Sequence, residues 1–177
     1  MKRILFAFTL LTAVTAAPAL AQAGGRLTVE PFVGYGFFGQ LPDGPELEAA
    51  LTYGARGGYQ LAPQWSAFGA FQRSNPERSG ILGGDVNVDH WSAGIEFSYV
   101  PRGGAEGMLP ILMEAGLGQA RYEGGNSDLA VNIGIASALQ LTPNLAIRYG
   151  ANDYISNYRG DGIVNQIFVR VGAELRF

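Results

Sequence analysis

The feature that most constrains this chain is an alternation of period two, sustained over long segments, between apolar residues and residues that are small or polar. In "VRVGAELRF" at 169–177, Val169, Val171, Ala173, Leu175 and Phe177 fall on one side of an extended chain, and Arg170, Gly172, Glu174 and Arg176 fall on the other. A half-buried soluble strand would point the charges at water. A membrane barrel would point the apolar side at lipid and the charges into the lumen.

The same alternation divides the chain into eight segments, at 26–38, 48–61, 65–74, 89–100, 108–122, 128–141, 145–156 and 163–177. Each is about the 9–11 residues that a tilted strand needs to cross a bilayer, some with extensions. One face carries Leu27, Val29, Val33, Tyr35 and Phe37 in the first segment, Leu51, Tyr53, Ala55, Tyr59 and Leu61 in the second, Trp91, Ala93, Ile95, Phe97 and Tyr99 in the fourth, and Leu129, Val131, Ile133, Ile135 and Leu139 in the sixth. These faces hold no charge. The opposite faces are rich in Gly, Ala, Ser, Thr and Asn, as the 26 glycines of the chain allow. A soluble sandwich would place long charged side chains there. A small polar face suits the narrow interior of an eight-stranded barrel.

The connections alternate in length. "LAPQ" at 61–64 and "LTPN" at 141–144 are tight turns, and "PRGGAEG" at 101–107 is somewhat longer; between them lie "GQLPDGPE", "NPERSGILGGDVNV", "EGGNSD" and "NYRGDGI", polar and rich in Gly, Asp and Asn. Short turns on the side of the termini and longer loops opposite are the layout of an outer-membrane barrel. Aromatic residues gather near segment ends, with Tyr59, Trp65, Tyr99 and Phe177 toward the termini and Phe37, Phe71 and Trp91 toward the loops, as two interfacial girdles require. The expected fold is all-β, an eight-stranded antiparallel up-and-down transmembrane β-barrel.

The N-terminus has the form of a secretory leader. Lys2 and Arg3 precede an apolar stretch, Ile4 to Val14, and "APALAQA" then offers cleavage after Ala21 or Ala23. Residues 1–23 are therefore expected to be a signal peptide and 24–177 the barrel domain. Without the leader the chain keeps no lysine and sets ten arginines against fifteen acids, which excludes a basic surface for nucleic acid. With no cysteine there is neither a disulfide framework nor a thiolate metal site. No run of about twenty apolar residues follows the leader, so no membrane-spanning helix is expected.

The candidate functional residues are inward charges: Glu30, Arg56, Glu96, Glu114, Arg148, Arg170, Glu174 and Arg176. Counted from the termini, most lie several residues into their strands and should share one broad lumenal layer. Glu96 and Glu114, on neighbouring strands, need a cation between them, and Arg56, Arg148 or Arg170 is expected to reach across. The layer can be a gated polar pore or a salt-bridged plug, and the plug is favoured because an eight-stranded interior is just wide enough for side chains to fill. His90, the only histidine, is expected at the outer rim, bonded locally rather than catalytic. "GGDVNVD" at 83–89 lacks the glycine and distal glutamate of a calcium loop, and no other spacing marks a metal or cofactor site.

The leader, the eight alternating segments, the glycine-rich face and the terminal Phe177 together resemble the small outer-membrane β-barrel family typified by the OmpA transmembrane domain and OmpX. The resemblance implies residence in the outer membrane and contact with its lipid and lipopolysaccharide. It also implies that Phe177, with Val171, Ala173 and Leu175 before it, is the signal read by the outer-membrane assembly machinery. A periplasmic-domain function is not carried over, and no β-rich extension like that of OmpX is visible in the loops. "YISN" at 154–157 is similar to the His-x-Ser-Asn stretch of lipid A deacylase barrels, with Tyr154 in the position of the histidine. A tyrosine is a poor base for Ser156 at neutral pH, so an enzyme is not expected. A narrow pore remains the alternative to a closed barrel with a structural or surface-interaction role.

Overall fold

A computed structural model describes residues 27–42, 46–78, 84–100, 109–122, 127–158 and 160–177. The leader, its cleavage site and the turn at 101–107 lie outside these residues. Eight antiparallel strands follow one another around a closed barrel: β1 (Leu27–Phe38), β2 (Ala50–Ala62), β3 (Trp65–Ser74), β4 (Val88–Tyr99), β5 (Ile111–Tyr122), β6 (Ser127–Thr142), β7 (Leu145–Tyr158) and β8 (Gly162–Arg176). β8 returns to pair with β1, and the Phe177 amide donates to the Leu27 carbonyl at 3.0 Å, so the last residue completes the closure.

One parity serves the whole chain. Each hairpin pairs odd residues with odd and even with even, as in Leu27 with Tyr59, Trp65 with Phe97 and Leu145 with Leu175. Odd side chains therefore face outward and even ones inward in all eight strands. The two tightest turns would break this rule, because Pro63-Gln64 joins Ala62 to Trp65 and Pro143-Asn144 joins Thr142 to Leu145, in each case an even residue to an odd one. A bulge just before each turn absorbs the extra residue and restores the pairing Gln60 with Ser66 and Gln140 with Ala146.

The outward face is a belt of Val, Leu, Ile and aromatic side chains. Leu129 is 69% exposed and Ile133 is 52% exposed in the isolated chain, which water would penalise and lipid would not. Near the termini Trp65 packs on Phe97 with ring centroids 4.9 Å apart, and near the loops Phe71 packs on Trp91 at 4.2 Å. Inside, glycines make room for larger polar neighbours. A Cβ on Gly172 would lie 2.9 Å from the Glu30 side chain, and one on Gly134 would collide with the Asn152 amide.

The loop end departs from the expectation of purely polar connections. Leu41, Leu47 and Val86, from the first and second long loops, turn in over the mouth and pack with Val88, Ala120, Tyr122, Tyr158, Val164 and Phe38. The Glu48 amide donates to the Glu77 carbonyl, which ties the two loops together, and the Val86 amide donates to the Pro76 carbonyl within the second loop, both at 2.9 Å. Isolated leucines and valines within turn-rich segments cannot pay for exposure, and the unfilled mouth of the barrel gives them an apolar site.

Candidate functional site

The lumen is filled in layers, and its middle layer is ionic. Glu30 comes from β1, Arg56 from β2, Glu96 from β4, Glu114 from β5, Arg148 from β7 and Arg170 and Glu174 from β8; each has an even number, and each is nearly inaccessible to solvent. Glu96 and Glu114 are direct partners in the β4–β5 ladder, which sets two carboxylates side by side. Arginines from the opposite wall meet them. Arg148 Nη2 donates to Glu96 Oε2 and, at 2.5 Å, to Glu114 Oε1. Arg56 Nη2 donates to Glu96 Oε2 at 2.7 Å, and Arg170 Nη2 reaches both oxygens of Glu114 at 2.9 and 3.1 Å.

Arg148 is the hub. Beyond Glu96 and Glu114 it faces Glu30 Oε2 from Nε at 3.3 Å and Glu174 Oε2 from Nη1 at 3.3 Å. A guanidinium can do this because it carries five donors in a rigid plane, whereas an ammonium is a point charge. The remaining surfaces of the arginines lie on aromatic rings, Arg56 over Phe68 at 4.7 Å and Arg170 over Phe32 at 5.1 Å. Arg176 stands at the edge of the layer: it pairs with Glu174 at 2.8 Å, and its side chain is 37% exposed toward the termini. The charges offset one another, and removing one partner from so dry a cluster leaves a buried charge that costs about 3–5 kcal/mol.

Amides and hydroxyls extend the network toward the loops. Asn152 Nδ2 donates to Glu114 Oε2 at 3.0 Å and to Asn132 Oδ1 at 3.1 Å, and Ser92 bonds Tyr154 through their hydroxyls at 3.0 Å. His90 is fully buried and bonds not locally but across the lumen, its Nε2 lying 2.6 Å from Gln166 Oε1. Gln166 Nε2 donates in turn to the Tyr122 hydroxyl. The imidazole packs against both Tyr154 and Phe168, with centroids at 4.7 and 5.0 Å, and those two rings also meet each other edge to face at 5.7 Å. His90 is therefore a packed interior residue and not a rim residue. Its neighbour Asp89 points outward instead and pairs with Arg73.

Sequence reasoning named the charges and placed Asn132 on the inward face without assigning it to the network; it did not name Asn152 and Gln166, although their even parity marks them as lumenal. Chemistry at the "YISN" stretch is closed off by the same parity, since Tyr154 and Ser156 both face the lumen at 2% exposure and cannot meet a lipid. Among the described residues no group of His, Asp or Glu is arranged to hold a metal ion.

Fold and site together define a closed, eight-stranded antiparallel barrel with an apolar exterior and a filled ionic lumen. No protein-family model and no curated protein matches the chain. Solved structures do match its fold. Neisserial surface protein A is 12% identical over 85% of this chain and 97% of its own, with a TM-score of 0.61. The N-terminal β-barrel domain of Pseudomonas aeruginosa OprF is 14% identical over 86% and 98%, with a TM-score of 0.57. The outer membrane protein Ail of Yersinia pestis, in a phospholipid bilayer nanodisc, is 15% identical over 86% and 99%, with a TM-score of 0.52. At such identities the likeness concerns the fold.

Proposed function

We propose that this chain is a small integral outer-membrane protein, without enzymatic activity, whose barrel is sealed by its ion-pair layer and serves a structural or surface-interaction role. The observation that carries this reading is the position of Arg148, which spans the bore and engages carboxylates of β1, β4, β5 and β8 at once. Such a cluster fixes the register of distant strands and occupies the path that an ion would take. In this orientation the termini and tight turns face the periplasm and the longer loops face outward.

Planar-bilayer recording of the purified barrel tests the seal. The expected trace shows no large steady channel, and a stable open level at all voltages would replace the plug with a pore. Residues 1–23 are assigned as a leader cleaved after Ala21 or Ala23, and Phe177 as the residue read by the assembly machinery. Deleting Phe177 is expected to lower the yield of membrane-inserted barrel several-fold, measured as heat-shifted migration on gels. An unchanged yield would remove that role.

A further inference from the structure

Charge on the outward face of the strands is confined to four residues, Arg73, Asp89, Arg121 and Asp153, and three of these stand in one row. Arg73 is register partner to Asp89, and Asp89 to Arg121, across β3, β4 and β5. Each is the outward residue closest to the loop end of its strand. The row lies one step above the aromatic pair Phe71 and Trp91, which come next on the same face of β3 and β4 and touch at 4.2 Å. Interfacial aromatics mark the level of lipid headgroups, so the row sits where headgroup charges lie.

The row is cationic in a protein whose net charge is negative. Arg73 grips Asp89 with two parallel bonds, Nε to Oδ1 at 2.6 Å and Nη2 to Oδ2 at 2.7 Å, and its guanidinium carbon lies 6.0 Å from the centroid of the Phe71 ring. Both carboxylate oxygens are thereby engaged, and Arg73 is held in a fixed orientation on Asp89. Arg121, on the other side of Asp89, is exposed and makes no ion pair among the described residues. Arg73 and Arg121 stand two strands apart with Asp89 between them, about 10 Å from Cβ to Cβ, a separation that two phosphate groups of one headgroup can span.

We propose that Arg73 and Arg121 bind the phosphate of an outer-leaflet glycolipid, the phosphorylated glucosamine headgroup of lipopolysaccharide, with Asp89 as the residue that positions Arg73. The proposal rests on the outer-membrane reading above and on the orientation it gives. A guanidinium fork matches phosphate oxygens in geometry and charge, and the aromatic pair beneath offers its faces to the upper acyl chain and sugar. No such row exists on the outward face of β1, β2, β6 or β8, so one side of the barrel should hold the lipid.

Native mass spectrometry of the full barrel released from detergent tests this, with bisphosphorylated lipid A, the same lipid stripped of phosphate, phosphatidylglycerol and free inorganic phosphate as probes. The parent is expected to retain bisphosphorylated lipid A at least tenfold better than the stripped lipid. Arg121→Ala should reduce retention about five-fold and the Arg73→Ala/Arg121→Ala pair further still. Asn165→Ala, an outward polar change on β8, should leave retention unchanged. Equal retention of stripped lipid by the parent, or unchanged retention by the double variant, would overturn the site. Full competition by free phosphate at millimolar concentration would overturn the assignment to a lipid. Heat-shifted gel migration is recorded for every variant: loss of the shift in the parent would sink the barrel reading itself, whereas an intact shift without phosphate preference would sink only this site.

Discussion

At the scale of single residues the fold depends on where charge is permitted. Arg148 faces carboxylates of four strands, and truncating it leaves Glu30, Glu96 and Glu114 without their shared cation. Arg148→Ala is expected to lower unfolding stability by about 3–5 kcal/mol, read from urea titrations in phospholipid vesicles. Arg148→Lys should recover only part of this loss, because one ammonium cannot face four carboxylates in a plane. A change below about 1 kcal/mol would show that Arg56 and Arg170 carry the layer without it. Asp153 presents the opposite case. It faces outward between Ile133 and Ile167 and accepts one bond, from the Gln166 amide at 3.2 Å. A carboxylate on a lipid face is costly, so Asp153→Val is expected to raise stability by up to about 2 kcal/mol in the same titration. A loss of stability would mean that its bond to the Gln166 amide outweighs the cost of desolvating the carboxylate.

At the scale of strands the alternation was legible because an apolar exterior on one side and a narrow lumen on the other leave no freedom in facing. The observed strand ends differ from the sequence-based ones by at most three residues, on both sides of the barrel; β5 starts three residues later near the termini, and β7 and β8 gain ladder pairs such as Tyr158 with Gly162 at the loop end. The interruption in the closing ladder was not legible. Pairing of β1 with β8 keeps one register from Thr28 with Arg176 to Phe38 with Gln166, yet it skips the positions at which Glu30 faces Glu174 and Pro31 faces Ala173. Pairing of Pro31 with Ala55 on β2 is unbroken, so the missing proline donor falls on the closing seam. Two glutamates facing each other repel as well, and Arg148 reaches both. Hydrogen exchange should therefore be faster over residues 28–32 than along the β6–β7 ladder at the same depth. Pro31→Val should slow it and add about 1 kcal/mol of stability by restoring a donor. Uniform exchange around the barrel would show that the seam is as firm as the other ladders.

At the scale of the molecule the lumen is occupied at two levels. The ionic layer around Arg148 fills the middle, and the apolar cluster of Leu41, Leu47, Val86, Tyr122 and Tyr158 covers the loop end, with the His90, Gln166 and Tyr154 network between them. The ionic layer could be anticipated from strand parity alone, since every member occupies an even position at similar depth. Its pairings could not, because which arginine meets which glutamate across the bore depends on strand stagger, which sequence does not display. The apolar cover was hidden for another reason: single leucines in polar loops carry no periodicity. Two obstructions in series predict a particular conductance pattern. Arg148→Ala should admit only brief, small openings, because the loop cluster still covers the path. Leu41→Ser with Leu47→Ser should remain closed, because the ionic layer still fills the bore. The three substitutions together should give a steady channel in planar bilayers. If Arg148→Ala alone conducts as fully as the triple variant, the loops do not seal the barrel, and the ion pairs are the whole of its closure.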